Sequence, residues 1–232
     1  MKYVPPFYVI TGGPGTGKIT VLAELLRRGC VCVPEDARAV IQEQIANSGS
    51  ALPWSDAPRF AELLMQRSIA TWQGQAAKNP LVSVYFDRGV GDAFTCADLV
   101  GHTLPADMRR QARACLYRNP VFLAPYWPSI YTTDTERRQT IEEAERTEHA
   151  IVRTYTDLGY EIVRLPLVSP AERADFILHH SQWRRAMATF SLPASPAPAA
   201  TPSPAHASAP AASPSPAAPA SSPAVPTRLR PE

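Results

Sequence analysis

Between Gly12 and Thr20 the chain reads Gly12-Gly13-Pro14-Gly15-Thr16-Gly17-Lys18-Ile19-Thr20, and four of its 11 glycines fall there. Gly12 and Gly17-Lys18 have the spacing G-x-x-x-x-G-K. Glycine backbones turn so that successive N–H groups converge on phosphate oxygens, a helix opening at Lys18 adds the positive end of its dipole, and the lysine supplies a mobile charge. A glycine-rich turn that holds no phosphate needs neither the lysine nor a strand before it and a helix after it. All are present, so Gly12 to Thr20 are expected to bind a nucleotide.

One position departs from that pattern. Lys18 is normally followed by Ser or Thr, whose hydroxyl holds Mg²⁺. Ile19 stands there and cannot ligate a metal, which puts Mg²⁺-dependent turnover in doubt. Thr20 is no simple substitute, because one residue along a helix rotates a side chain by ~100°, although its hydroxyl could reach a phosphate. Ile19 shares a helical face with Leu22 and Leu26, so the plain expectation is a place in the core-facing stripe.

Asp87 ends the apolar run Leu81-Val82-Ser83-Val84-Tyr85-Phe86. In a parallel sheet the carboxyl ends of strands face the ligand crevice. There Asp87 could hold Mg²⁺ through water or accept a substrate proton, and Arg88 could offset charge on transferring phosphoryl oxygens. The competing reading is an Asp-Arg-Gly turn with its own ion pair. Glu35 likewise follows a short buried strand: it is either an acceptor-side carboxylate or a first-turn residue paired with Arg38. Arg137 and Arg138 fall in the first turns of a helix, where the dipole disfavours cations. They form either a lid over triphosphate or, for Arg138, a surface pair with Glu142. Trp54, Phe60 and Trp72 line an acceptor pocket or belong to the core. The histidines show no metal-ligand spacing with the cysteines, so no zinc is assigned.

The elements that must position these residues alternate between short apolar runs and helical stretches, the pattern of a largely parallel sheet covered by helices. Strands are expected at Phe7–Thr11, Cys30–Val33, Leu81–Phe86, Val121–Ala124 and Glu161–Leu165. Helices are expected from the loop to Arg28, from Glu35 to about Ala46, from the Ser55-Asp56 cap to about Ala77, over Asp92–Val100 and Ala106–Leu116, from the capping-box spacing Thr133-Asp134-Thr135-Glu136 to Gly159, and from Pro170 to about Arg185.

Composition bounds the rest. Of the last 40 residues, 12 are Pro, 13 Ala and seven Ser, too little branched and aromatic surface to bury a core. Residues 191–232 are therefore expected to be a disordered tail, and 1–190 one globular domain. The 23 basic and 21 acidic residues leave a net charge of +2, no polyelectrolyte footprint, which argues against constitutive nucleic-acid binding. No apolar stretch approaches the ~20 residues of a membrane span. The N-terminus lacks a signal-peptide pattern, and the four cysteines, two of them in Cys30-Val31-Cys32-Val33, suit buried free thiols. A cytoplasmic location is the simplest account.

Taken together, Thr11–Lys18, Pro34-Glu35-Asp36-Ala37-Arg38, Leu52-Pro53-Trp54, Phe86-Asp87-Arg88-Gly89, Phe122-Leu123-Ala124-Pro125, Glu136-Arg137-Arg138-Gln139 and Leu158-Gly159-Tyr160-Glu161 resemble a bacterial family of small P-loop proteins called AAA-domain ATPases or predicted kinases. Its relatives include the ribosylnicotinamide kinase domains of NAD-biosynthesis regulators. The resemblance covers about residues 5 to 180. It implies an α/β P-loop NTPase with a five-stranded parallel sheet of the nucleotide-kinase type and helices on both faces. It implies that Lys18 and the loop glycines bind ATP, that Asp87 and Arg88 act as the Asp/Glu-Arg pair of nucleoside and nucleotide kinases, that Glu35 is the acceptor-side carboxylate, and that Arg137 and Arg138 are lid arginines. The family usually has Thr at the place of Ile19, so Mg²⁺ ligation does not carry over. No second acidic residue follows Asp87, which disfavours a ring-forming motor.

The expected function is an ATPase or a phosphotransferase acting on a small, nucleoside-like molecule. The alternative is a nucleotide-binding regulatory module in which Ile19 has removed metal ligation and the Pro-rich tail docks a protein partner.

Overall fold

The computed structural model describes residues 3–128 and 141–190, with backbone alone for Ile141 and residues 183–190. Five strands form one parallel sheet: β1 (Phe7–Thr11), β2 (Val31–Val33), β3 (Val84–Asp87), β4 (Val121–Leu123) and β5 (Ile162–Arg164), in the order β2-β3-β1-β4-β5. Among the described residues seven helices connect and cover them: α1 (Lys18–Arg27), α2 (Asp36–Ala46), α3 (Ala57–Ala77), α4 (Val90–Leu99), α5 (Ala106–Ala114), α6 (Ile141–Asp157) and α7 (Pro170–Phe190). This is the expected P-loop fold of the nucleotide-kinase type, with the phosphate loop at the carboxyl end of the central strand.

β1 is buried along its whole length because the sheet is covered on both faces. Its side chains alternate between two cores. Phe7 and Val9 join Phe86, Leu123 and the apolar faces of α3, α4 and α6 on one side. Tyr8 and Ile10 join Tyr85, Phe122, α1 and α7 on the other. Asp56 caps α3 by accepting the Arg59 N–H at 3.0 Å, as its position before the helix predicts.

Two strand expectations shift. β3 begins at Val84, and Leu81 and Val82 are exposed. The cause is the neighbour: Phe7 is the residue opposite Val84, and Pro5 and Pro6 before it have no N–H for a ladder. β2 is the edge of the sheet, not a buried strand, and only Val33 in it is buried. Cys30 and Cys32 are accordingly half-buried; Cys115 alone among the four cysteines is buried. No helix among the described residues is long and apolar enough to cross a membrane. The capping-box residues at 133–136 and the Pro-rich segment from 191 lie outside the described residues.

Candidate functional site

The phosphate loop is shaped by three glycines in backbone conformations that L side chains rarely adopt: φ is 142° at Gly12, 74° at Gly15 and 79° at Gly17. At Gly12 space is limiting as well. A Cβ there would lie 2.3 Å from the Ala124 carbonyl oxygen, where the loop passes the end of β4. Gly17 caps α1 and Lys18 is the first helical residue. The Lys18 ammonium turns back over the loop and donates to the Gly12 and Gly13 carbonyls at 2.8 and 2.7 Å. Thr16 is buried, its hydroxyl donating to the Gly13 carbonyl at 2.9 Å.

Lys18, Ile19, Thr20, Glu35, Arg38, Asp87 and Arg88 all line one cleft of about 530 Å³, opened between the loop and the carboxyl ends of β2 and β3. That volume is within the ~300–1,000 Å³ usual for small-ligand sites. Burial pulls the Lys18 ammonium down to about 7, with Arg88 adding to the effect and Asp87, Glu35 and Asp92 opposing it. Burial likewise pushes the Asp87 carboxyl up to about 6, against the pull of Lys18.

Neither the Asp87–Arg88 nor the Glu35–Arg38 ion pair considered from the sequence forms. Arg88 leaves Asp87 and donates from Nε to Glu35 Oε1 at 2.8 Å and from Nη1 to Asp92 Oδ1 at 3.0 Å. Glu35 therefore pairs with Arg88, not Arg38. Burial alone would lower the Arg88 pKa, but Asp92, Glu35 and Asp87 around it hold the guanidinium above its ordinary range. Arg88 sits at φ 67°, a left-handed conformation that costs a non-glycine residue of order 1 kcal/mol or more. The network that over-determines it runs through Asp92 on α4. That carboxylate also accepts from Thr11 Oγ1 at 2.5 Å, the Gly89 N–H at 2.9 Å and Tyr155 Oη at 2.6 Å.

Asp87 is the unsatisfied member of the cluster. It is 9 % exposed and its Oδ1 has no hydrogen-bond partner among the described residues. No group of three or more His, Cys, Asp or Glu side chains that could hold a metal occurs among them. One open carboxylate oxygen fits a Mg²⁺ ion whose other ligands are phosphate and water, and does not fit an ion caged by protein alone.

Ile19 does not join the core. It is 56 % exposed and lines the cleft, whereas α1 buries Lys18, Val21, Leu22 and Leu25. The buried stripe of this helix runs i, i+3, i+4, i+7 from Lys18, which leaves Ile19 and Leu26 outside it. Thr20 also faces the cleft, but its hydroxyl donates back to the Gly17 carbonyl at 2.8 Å. Of the aromatics, Phe60 is core, Trp72 packs edge-on against Phe7 and donates to the Leu116 carbonyl, and Trp54 is exposed; none lines the cleft. Arg137 and Arg138 lie outside the described residues.

Sequence reasoning missed Asp92, Trp127 and Arg173. Asp92 carried a signal, the i, i+4 spacing from Arg88 at the start of a helix. Trp127 and Arg173 carried none, since an arginine early in a helix reads as surface. Here Arg173 is 1 % exposed, with its guanidinium carbon 4.8 Å from the Trp127 ring centre, and both line the cleft.

The family described as AAA domain matches residues 7–173. The chain belongs to that family. The matched span of this AAA domain takes in every residue that lines the cleft, from Pro14 to Arg173. No curated protein matches the chain. Among solved structures it is similar to shikimate kinase from Acinetobacter baumannii in complex with shikimate, at 15% identity and a TM-score of 0.46, covering 78% of this chain and 95% of that one. It is also similar to deoxyadenosine kinase from M. mycoides with bound dATP, at 15% identity and a TM-score of 0.47 over 76% and 98% of the two chains. Shikimate kinase from Aquifex aeolicus is similar at 13% identity and a TM-score of 0.44, over 78% and 98%.

Proposed function

We propose that this AAA domain binds ATP and transfers its terminal phosphoryl group to a small, nucleoside-like acceptor or to water. The observation that carries the reading is the shared cleft: the phosphate loop with Lys18, and the Glu35–Arg88–Asp87 cluster, line one cavity at the carboxyl ends of three adjacent parallel strands. Phosphoryl transfer needs positioning and charge neutralisation more than covalent chemistry, and these residues supply both.

In this mechanism the loop N–H groups and Lys18 hold the β- and γ-phosphates. Anionic oxygens draw the Lys18 ammonium from the Gly12 and Gly13 carbonyls and restore its charge. Arg88, fixed from two sides by Glu35 and Asp92, offsets charge on the transferring group. Asp87, its carboxyl raised by burial, accepts the proton of the attacking hydroxyl, while Glu35 orients that hydroxyl. Mg²⁺ held by Asp87 would add charge neutralisation between the phosphates. Arg137 and Arg138 complete the proposal as lid arginines, and a ribosylnicotinamide-like nucleoside is the acceptor the family resemblance suggests.

A second reading is supported by Ile19, whose exposed side chain occupies the place of a metal-ligating hydroxyl. The domain would then bind nucleotide with little turnover and act as a regulatory module. ATP consumption measured with Mg²⁺, with and without candidate nucleosides, separates the two. Turnover that Lys18→Ala abolishes supports the phosphotransferase; ATP binding with turnover no higher than in Lys18→Ala sinks it and leaves the module.

A further inference from the structure

The Asp92 carboxylate accepts four hydrogen bonds, two on each oxygen. Oδ1 accepts from Thr11 Oγ1 at 2.5 Å and Arg88 Nη1 at 3.0 Å, and Oδ2 from the Gly89 N–H at 2.9 Å and Tyr155 Oη at 2.6 Å. An ionised carboxylate offers about four acceptor sites, so buried Asp92 is filled. It keeps no lone pair for a metal ion or a proton, in contrast to Asp87 with its unpartnered Oδ1. Any effect of Asp92 on chemistry passes through a partner.

A helix cap would use only one of these bonds. Asp92 lies in the first turn of α4, where a carboxylate reaches back to the N–H that precedes the helix, and the Gly89 bond is that cap. The other three tie α4 to the proposed transfer site. Thr11 ends β1 and precedes the phosphate loop, Arg88 is the cation of the proposed transfer, and Tyr155 comes from α6. Asp92 thus joins the loop strand to Arg88, whose Nε is held separately by Glu35. With Nε and Nη1 engaged, Nη2 is the nitrogen left to meet a ligand oxygen.

The start of α4 is shaped to admit this junction. Tyr155 is fully buried, and a Cβ at Gly91 would lie 2.4 Å from its ring atoms Cε1 and Cζ. Glycine is unfavourable inside a helix, and here the ring accounts for it. Only a residue without a Cβ lets the tyrosine lie against this backbone and bring its hydroxyl to Asp92.

We propose that Asp92 is a positioning residue for phosphoryl transfer, and that the Tyr155 hydroxyl, which lines no part of the cleft, sets it. Together they hold the Arg88 guanidinium in register with the phosphate loop. The proposal rests on the reading of the cleft as a phosphoryl-transfer site, in which Arg88 offsets charge that develops on the transferring group. Interactions made only in the transition state raise turnover without tightening substrate binding. A slackened Arg88 therefore costs rate and leaves ATP affinity largely unchanged.

ATP turnover with Mg²⁺, with and without candidate nucleosides, and calorimetric ATP affinity test this on the full chain. Tyr155→Phe keeps the ring against Gly91 and deletes a single bond. It is expected to lower kcat about tenfold, and Asp92→Asn about a hundredfold, with ATP affinity within about threefold in both. In an Arg88→Lys chain, which lacks the fork that Asp92 orients, Tyr155→Phe should lower kcat by less than about twofold further. Retained ATP binding reports that the variants are folded, and Tyr155→Phe decides if Asp92→Asn does not fold. An unchanged kcat in Tyr155→Phe, or equal losses of kcat and ATP affinity, overturns the positioning role and leaves the phosphoryl-transfer reading intact. So does a further loss of about tenfold in the Arg88→Lys chain, because additive losses mean that the hydroxyl does not act through Arg88. An unsubstituted chain that binds ATP and turns it over no faster than Lys18→Ala overturns the transfer reading and the positioning role with it.

Discussion

Arg88 Nε lies 2.8 Å from Glu35 Oε1, a pairing across 53 residues of sequence that fixes the end of β3 against the start of α2. The pair forms although Asp87 stands next to Arg88 in the chain, because the left-handed backbone of Arg88 aims its guanidinium away from that neighbour. Asp87 Oδ1 is thereby left buried without a hydrogen-bond partner among the described residues. One backbone conformation therefore accompanies both a fixed cation and an unpartnered carboxylate oxygen.

Arg88→Gln should be costly out of proportion to its surface. It leaves Glu35, Asp92 and Asp87 clustered without their shared cation, and removing one partner of a largely buried pair typically costs ~3–5 kcal/mol. Glu35→Gln in the same chain should recover part of that loss, with a coupling of ~1–3 kcal/mol in a urea-unfolding double-mutant cycle. Additive losses would deny the pair its energetic role.

The pH dependence of stability should carry a mark of Asp87. Its carboxyl is raised from 3.8 to about 6 by burial, so between these values the folded state keeps a proton that the unfolded chain has released. The contribution is complete below about pH 4 and is lost as pH rises through 6, on the order of 2–3 kcal/mol. Unfolding free energies from urea titrations between pH 4 and 6.5 should fall by this amount relative to Asp87→Asn, which removes the titration.

The order of strands and helices and the phosphate loop were legible because each follows from local pattern: apolar runs, capping residues and glycine spacing. Glu35, Asp87 and Arg88 were legible as residues at the ends of strands, whereas Asp92 and Arg173, which lie on helices, were not. Nor were the partners of Arg88, because it chooses between Asp87, Glu35 and Asp92 by a backbone dihedral that no sequence pattern records. Ile19 failed for a different reason. A stripe through Ile19, Leu22 and Leu26 and one through Lys18, Val21, Leu22 and Leu25 fit the same helix, and only packing against β1 and α7 decides between them.

Ile19→Thr should restore what the loop lacks. The side chain is exposed in the cleft, so the exchange should move stability by no more than about 1 kcal/mol. A hydroxyl at this place ligates Mg²⁺ in phosphate loops, and the Mg²⁺-dependent gain in ATP affinity is expected to grow by about tenfold, or ~1.4 kcal/mol. Titrations with and without Mg²⁺ on both chains measure it; an unchanged Mg²⁺ dependence would assign Ile19 no part in excluding the metal.

Gly12 and Gly13 are adjacent in the loop but should respond very unequally to alanine. At Gly12 the new Cβ would meet the Ala124 carbonyl at 2.3 Å with φ at 142°, whereas at Gly13 it would meet only Thr16 Cγ2, at 3.9 Å. Gly12→Ala is expected to cost ~3 kcal/mol or more, or to prevent folding, and Gly13→Ala about 1 kcal/mol or less. Thermal unfolding of the two variants side by side compares them, and equal losses would contradict the close passage of the loop beneath β4.

Nucleotide affinity should fall with rising pH for a reason specific to Lys18. Burial lowers its ammonium from 10.5 to about 7, so above pH 7 the free protein increasingly holds a neutral amine over the Gly12 and Gly13 carbonyls. A bound triphosphate restores the charge, and binding must then take up a proton. Linkage gives a loss approaching tenfold in affinity per pH unit between about pH 7.5 and 9. Calorimetry in buffers of different ionisation enthalpy counts that proton directly. A flat affinity profile across this range, with no proton uptake, would mean that Lys18 is already charged in the free loop and that the Asp87, Glu35 and Asp92 carboxylates outweigh its burial.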